Sequence, residues 1–200
     1  MKDAIDAFNN GDYTSCIELC TKEIDENKDF VLEARNLRGS LYMLKCQYNE
    51  CKTDFDFILN NETASNRLKS NTLVKLTALN LQNQQEEEAY ANYERAIELD
   101  SANEDIYCNR AQVYAMKGMF EKCFNDFEKC IELNSENRIA RIQKAFFEYR
   151  QFFASMQMYL QATQQSIEQI KDNTEFRNET TKLEKILADN SDVPEALSLY

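Results

Sequence analysis

The sequence contains no histidine or tryptophan, one proline and three glycines among its 200 residues. Without histidine, a Ser-His-Asp triad, a Cys-His catalytic pair and a Cys/His zinc site are excluded within this chain. The scarcity of glycine and proline argues against a turn-rich all-β or disordered chain. No Gly-rich phosphate-binding loop appears in the sequence. We therefore expect a helical, non-catalytic protein that uses neither a metal nor a cofactor.

Charge and hydropathy narrow the class of partner. The chain has 35 acidic and 23 basic residues, which gives a net charge of −12. An acidic chain is poorly suited to nucleic acid or to an anionic membrane surface, whereas basic partners remain open. Solubility alone would also explain the acidity. No apolar run reaches the ~18 residues that a membrane-spanning helix needs.

Two cysteines mark the segment FEKCFNDFEKCIEL at residues 120–133. Cys123 and Cys130 lie about two helical turns apart, so both thiols share one helix face. The segment alone leaves three interpretations open: metal ligands, a redox pair or packing. The seven cysteines include no CxxC motif, which favours reduced thiols.

The segment 104–137 contains two amphipathic patterns separated by Lys117 and Gly118. Apolar residues recur every three to four positions in both halves, as in helices that bury one face. Gly118 can end the first helix in the left-handed conformation. The pattern recurs along the chain, with an offset of 34 residues between Ala89 and Cys123. The sequence therefore predicts an all-α array of helical hairpins.

This order of residues resembles the tetratricopeptide-repeat family, which places small residues at positions eight, twenty and twenty-seven of each unit. Position eight holds Gly39, Thr77, Ala111 and Ala145, and position twenty holds Cys16, Cys51, Ala89, Cys123 and Ala196. The resemblance implies one right-handed superhelical solenoid over residues 1–200, with about five to six helical hairpins and incomplete ends. We expect its repeats at 1–28 (partial), 32–65, 70–103, 104–137, 138–176 (with an insertion near residues 152–156) and 177–200 (partial).

The repeat register favours packing for Cys123 and Cys130, because they fall on its small positions twenty and twenty-seven. We therefore expect thiol reagents to label Cys123 slowly. Cys108, on the groove side of the repeat, is expected to react faster.

The resemblance also implies a peptide-binding groove, lined by the first helix of each unit. The residues expected there are Asn36, Ser40, Val74, Ala78, Leu81, Asp105, Cys108, Asn109, Gln112, Ile142, Phe146, Tyr149 and Arg150. A carboxylate clamp for chaperone tails needs several cations at fixed positions across three consecutive units. No such triplet of units supplies these cations. One triplet has Lys75 as its single cation, beside Asn36, Ser40, Asp105 and Asn109. We expect an apolar and amide groove with acidic surroundings, suited to an extended or amphipathic peptide.

Three further motifs, IYCNRAQ, DFEKCIEL and FEYRQ, resemble the family of seventy-kilodalton preprotein import receptors of the mitochondrial outer membrane. The resemblance implies a non-catalytic receptor fragment that recognises presequences or internal targeting segments of mitochondrial preproteins. The parent protein would be anchored on the cytosolic face of that membrane by a segment absent here. Its partners would include other outer-membrane translocase subunits, and cytosolic chaperones bound through repeats absent from this chain.

Two alternatives stand beside this interpretation. A tetratricopeptide co-chaperone or adaptor would bind chaperone tails or another partner protein, and it needs a cationic clamp. An enzyme that uses paired carboxylates or a metal–thiolate centre is disfavoured, because no cluster of convergent ligands appears. Neither end of the array shows a polar cap, so we expect a fragment of a longer array or a homodimer through the exposed solenoid ends.

Overall fold

The computed structural model describes residues 1–26, 29–164 and 174–189. The described residues form helices and short turns without a strand, so the all-α expectation is confirmed. No helix in these ranges is long and apolar enough to span a membrane. The predicted repeat residue Ala196 lies outside the described residues. The ten described helices are α1 (Lys2–Asn9), α2 (Tyr13–Asp25), α3 (Val31–Leu44), α4 (Tyr48–Asn60), α5 (Asn66–Gln82), α6 (Glu86–Leu99), α7 (Glu104–Met116), α8 (Phe120–Leu133), α9 (Arg138–Thr163) and α10 (Thr174–Asp189).

Consecutive helices form hairpins in which α3, α5, α7 and α9 come first and α4, α6 and α8 come second. The chain divides into two compact units, Met1–Ile106 and Tyr107–Tyr200. In the first unit, each helix from α1 to α5 packs against the helix that follows it in the chain. In the second unit, α9 packs against α8 and α10.

Small residues occupy the helix contacts as the repeat register predicts. The position-eight residues Gly39, Thr77, Ala111 and Ala145 are all buried. At position twenty, Cys16, Cys51, Ala89 and Cys123 are at most 1% exposed. A larger side chain at these positions would push paired helices apart, because protein interiors are close-packed.

The turns within the hairpins depend on one left-handed residue each. Gly118 has φ +71°, which confirms the predicted helix end, and Gly11 has φ +75°. In the hairpins α3–α4 and α5–α6, the same turn position holds Cys46 at φ +58° and Gln84 at φ +61°. An L side chain is strained in this conformation. Sequence reasoning missed these two turn residues, because glycine is its usual signal for this conformation.

The helix α9 is longer than the other first helices. It has 26 residues, whereas α7 has 13. The stretch 152–156, where we expected an insertion, lies within α9 as continuous helix. A left-handed residue, Gln164 at φ +53°, follows its last turn. The repeat boundaries given above stay a prediction.

Burial explains five of the seven cysteines as core residues: Cys16, Cys20, Cys51, Cys123 and Cys130 have no exposed surface. Burial raises the pKa of the Cys51 thiol to about 12 and that of Cys123 to about 11. The expectation that Cys108 reacts quickly is wrong, because its side chain is only 7% exposed. The exposed cysteine is Cys46, in the turn between α3 and α4.

We expect a maleimide at neutral pH to label native protein first at Cys46. Maleimide reacts with the thiolate form of cysteine. Burial blocks the reagent's access to Cys51 and Cys123 and disfavours ionisation of their thiols. Peptide mapping by mass spectrometry would measure the order of labelling, and Cys46→Ser should remove the fast phase. Equal labelling rates for Cys46 and Cys123 in the folded protein would contradict this assignment.

Candidate functional site

In the first unit, the faces of α3 and α5 meet at a polar cluster around Lys75. The Lys75 ammonium donates hydrogen bonds to Asn36 Oδ1 at 2.7 Å and to Ser40 Oγ at 2.8 Å. Burial lowers the pKa of Lys75. The structure thus joins two predicted groove residues through a lysine that was absent from the predicted groove.

The apolar part of this unit's face lies on α5. Val74, Ala78 and Leu81 follow at intervals of four and three residues, which places them on one side of the helix. Ala78 is exposed, and the other two side chains are half-buried. Asp105 is exposed at the start of α7, where its backbone N–H donates to Asn103 Oδ1 at 3.2 Å.

In the second unit, the predicted residues lie on α7 and α9. Gln112 Nε2 donates to Gln143 Oε1 at 2.9 Å and ties the two helices together. Ile142, Phe146 and Tyr149 are half-buried and share one side of α9 by their spacing.

The remaining predicted residues of this unit differ in exposure. Asn109 and Arg150 are exposed, and the Arg150 guanidinium carbon lies 5.6 Å from the Phe146 ring centroid. Cys108 is buried, so its thiol offers little surface to a ligand. Apart from Cys108, the predicted residues keep at least part of their surface exposed.

Sequence reasoning missed two buried aspartates whose ion pairs with arginine fix first helices to second helices. The Asp54 carboxylate on α4 accepts from Arg38 Nε and Nη2, both at 2.8 Å, and from Arg35 Nη1 at 2.9 Å. In the second unit, Asp126 accepts from Arg110 Nε at 2.8 Å and Nη2 at 2.9 Å. In both hairpins the aspartate follows its arginine by 16 residues, a spacing that could have revealed the pair.

Charge is distributed unevenly between first and second helices. The first helix α5 contains Arg67, Lys69 and Lys75 and no acidic residue. The first helix α9 contains four basic residues and one acidic residue, whereas the second helix α6 contains five glutamates and one arginine. The expectation of acidic surroundings for the groove stays a prediction.

Comparison with protein families and solved structures agrees with this arrangement of hairpins. A family model described as TPR repeat matches residues 79–118, and one described as Tetratricopeptide repeat matches residues 104–137. The crystal structure of MamA superposes with a TM-score of 0.60, at 18% identity over 96% of both chains. TTC0263, a TPR protein of Thermus thermophilus, gives a TM-score of 0.59 at 15% identity, covering 94% of this chain and 97% of its own. The chain is a tetratricopeptide-repeat protein with the all-α fold of that family.

Curated relatives narrow the resemblance. The chain is 31% identical to the human (Homo sapiens) mitochondrial import receptor subunit TOM70 over 159 aligned residues. The alignment covers 79% of this chain and 26% of that relative. The chain thus spans about a quarter of that relative's length. A stretch of 52 residues is 40% identical to stress-induced-phosphoprotein 1 of Caenorhabditis elegans, covering 26% of this chain and 16% of that protein.

Proposed function

We propose that this chain is the peptide-binding part of a mitochondrial preprotein receptor. The observation that carries the proposal is the 31% identity to an import receptor subunit across 79% of the chain. The match extends well beyond the 52 residues that resemble a stress-induced phosphoprotein. In this role the chain binds targeting segments and catalyses no reaction.

The faces of the first helices supply the contacts for such a ligand. Val74 and Leu81 in the first unit, and Ile142, Phe146 and Tyr149 in the second, are half-buried apolar residues at helical spacing. They lie on the same helices as amide side chains that can bind a peptide backbone. Apolar anchors beside hydrogen-bonding groups suit an amphipathic helix or an extended segment.

The parent protein would then act at the cytosolic face of the mitochondrial outer membrane. It would receive preproteins from cytosolic chaperones through other repeats and pass them to further translocase subunits. The receptor resemblance supports these assignments, and the peptide-binding experiment below tests the step on which they depend.

A co-chaperone or adaptor role is the second candidate, favoured by the 40% identity to stress-induced-phosphoprotein 1. It requires a cationic clamp for chaperone tails. Lys75 is the one cation at the clamp positions in the triplets of repeat units. A chaperone tail should therefore bind this chain weakly. A tail peptide that binds more tightly than targeting peptides would favour the adaptor role.

Calorimetry with synthetic targeting peptides tests the proposal. A basic amphipathic presequence or an apolar internal segment should bind more tightly than a scrambled peptide of the same composition. Phe146→Ala should weaken binding about tenfold, since buried aromatic anchors carry much of the affinity in such interfaces. Phe120→Ala, which removes an exposed ring from the second helix α8, should leave binding unchanged.

Equal affinity for the targeting and scrambled peptides, in this chain and in the full-length receptor, would contradict the proposed function. An affinity that Phe146→Ala does not change would remove this residue from the binding face.

A further inference from the structure

The turn between α1 and α2 contains the single Asn-Gly pair of the sequence, Asn10 and Gly11. Asparagine side chains are chemically labile. Their loss of ammonia begins when the backbone nitrogen of the next residue attacks the side-chain carbonyl carbon. A side chain on that next residue obstructs the attack, and glycine has none. Asn10 is therefore the asparagine of this chain with the least obstructed neighbouring nitrogen.

The structure leaves the reacting groups of this pair open to water. Both residues are exposed, and a Cβ atom at Gly11 would meet no atom of a more distant residue within 4 Å. The Asn10 side chain has no hydrogen-bond partner in the described part of the chain. Asn134, which precedes the small residue Ser135, differs. It is half-buried, and its side-chain oxygen accepts from the backbone N–H of Glu136 at 3.1 Å.

One backbone hydrogen bond must break before the Gly11 nitrogen can attack. The Gly11 N–H donates to the Phe8 carbonyl oxygen at 3.0 Å, and Asn10 has ψ 0°, which leaves the Gly11 nitrogen rotated away from the side chain. Opening this turn costs little, because α1 has eight residues, too few for a helix that is stable by itself. Helix ends are also among the first parts of a native protein to open. The attack therefore starts from a transiently opened turn.

We propose that Asn10 is a self-modification site whose isoaspartate product loosens α1 from the first unit. The Gly11 nitrogen forms a bond to Asn10 Cγ, the Cγ–Nδ2 bond breaks, and ammonia leaves with the proton of the Gly11 N–H. Water then opens the resulting cyclic imide at either carbonyl group. One product is aspartate. The other is isoaspartate, in which the main chain runs through the former side chain. The reaction consumes water and needs no oxidant or reductant.

The two products differ in what they do to the turn. The new carboxylate lies just after α1 and just before α2, so it is unfavourable to one helix dipole and favourable to the other. Isoaspartate also inserts a methylene group into the backbone. The hydrogen bonds from Asp12 N–H to Ala7, at 2.9 Å, and from Gly11 N–H to Phe8 span that point, so they cannot both keep their geometry. Isoaspartate should therefore release the end of α1, whereas aspartate should not.

Release of α1 would uncover part of the core of the first unit. Ala4 on α1 packs in one cluster with Cys16 and Cys20 of α2. Neither thiol has exposed surface in the intact hairpin, and burial raises the pKa of Cys20 to about 12. Opening would give these thiols both access to reagents and a solvated environment in which they ionise more readily. A thiol reagent therefore reports the released state through these two cysteines.

Ageing of the purified chain in neutral buffer tests the modification. Peptide mapping by mass spectrometry would measure the mass gain of an amide that becomes an acid and assign it by fragmentation to Asn10. Isoaspartate methyltransferase with a labelled methyl donor would report the isomer. Asn10 should react about tenfold faster than Asn134, because glycine leaves its own nitrogen unobstructed. Asn10→Gln is the matched control. It keeps an exposed amide, but its longer side chain closes a less favourable ring, so the signal should disappear.

Maleimide labelling separates the effect of the altered backbone from that of the added charge. In the isoaspartate fraction, isolated by chromatography, Cys16 and Cys20 should be labelled about tenfold faster than in fresh protein. Freshly purified Asn10→Asp has the added charge on an unaltered backbone, and its two cysteines should be labelled as slowly as those of fresh protein.

A mass gain at Asn10 no greater than that at Asn134 would overturn the modification site. Slow labelling of Cys16 and Cys20 in protein that carries isoaspartate, or fast labelling of fresh Asn10→Asp, would overturn the proposed release of α1. Binding of targeting peptides is measured separately, so neither result bears on the receptor function.

Discussion

Replacing Asp54 by alanine is expected to lower the free energy of unfolding by about 3–5 kcal/mol, the cost of removing one partner from a buried ion pair. The Asp54 side chain is 1% exposed and neutralises Arg35 and Arg38, which are 17% and 14% exposed. Without the carboxylate, two guanidinium groups face each other in a site from which water is largely excluded. Arg38 also donates to Thr21 Oγ1 at 2.9 Å, so the damage extends to α2.

Urea unfolding followed by far-UV circular dichroism would measure this loss. Asp56→Ala is the matched control, because Asp56 lies on the same helix and has no ion-pair partner among the described residues. The control should change the free energy of unfolding by less than about 0.5 kcal/mol. Similar losses for the two substitutions would show that the Asp54 cluster does not hold α3 against α4.

The second large effect is expected from Gly39→Ala, which should destabilise the protein by about 1–3 kcal/mol through overpacking. A Cβ atom at Gly39 would lie 2.7 Å from Phe55 Cε1 and 3.3 Å from Asp54 Cβ. Alanine would otherwise favour the helix by about 1 kcal/mol, so a net loss would demonstrate the close approach of α3 and α4.

A double-mutant cycle with Phe55→Leu isolates this contact. The smaller side chain makes room for the new methyl group, so the double variant should be more stable than the sum of the two single effects predicts. Additive losses, or a gain from Gly39→Ala alone, would mean that the helices do not meet tightly at this position.

The fold followed from the sequence because its strongest signals are local. Helical periodicity depends on neighbours three and four positions away, and the small residues Gly39 and Cys123 mark helix contacts whatever their partners are. The turn at Gly118 was predictable for the same reason. Cys46 and Gln84 were not, since the geometry of the whole hairpin imposes the left-handed conformation on residues that do not prefer it.

The candidate site was less predictable because its contacts join distant parts of the chain. Lys75 meets Asn36 across 39 residues, and Cys108 is buried by packing that its own helix does not reveal. Asp54 lies 16 residues from Arg38, and their pairing becomes visible once the hairpin is formed. The apolar face of Ile142, Phe146 and Tyr149 was predictable, because the helical spacing within α9 alone places these residues on one side.

The most direct test of the account is to map where a targeting peptide binds, by titrating isotope-labelled protein and following its backbone and methyl resonances. The perturbed residues are expected on the first helices, with Val74, Leu81 and Ile142 among them. Perturbations confined to the second helices α4, α6 and α8, or none at peptide saturation, would contradict the claim that these faces recognise targeting segments.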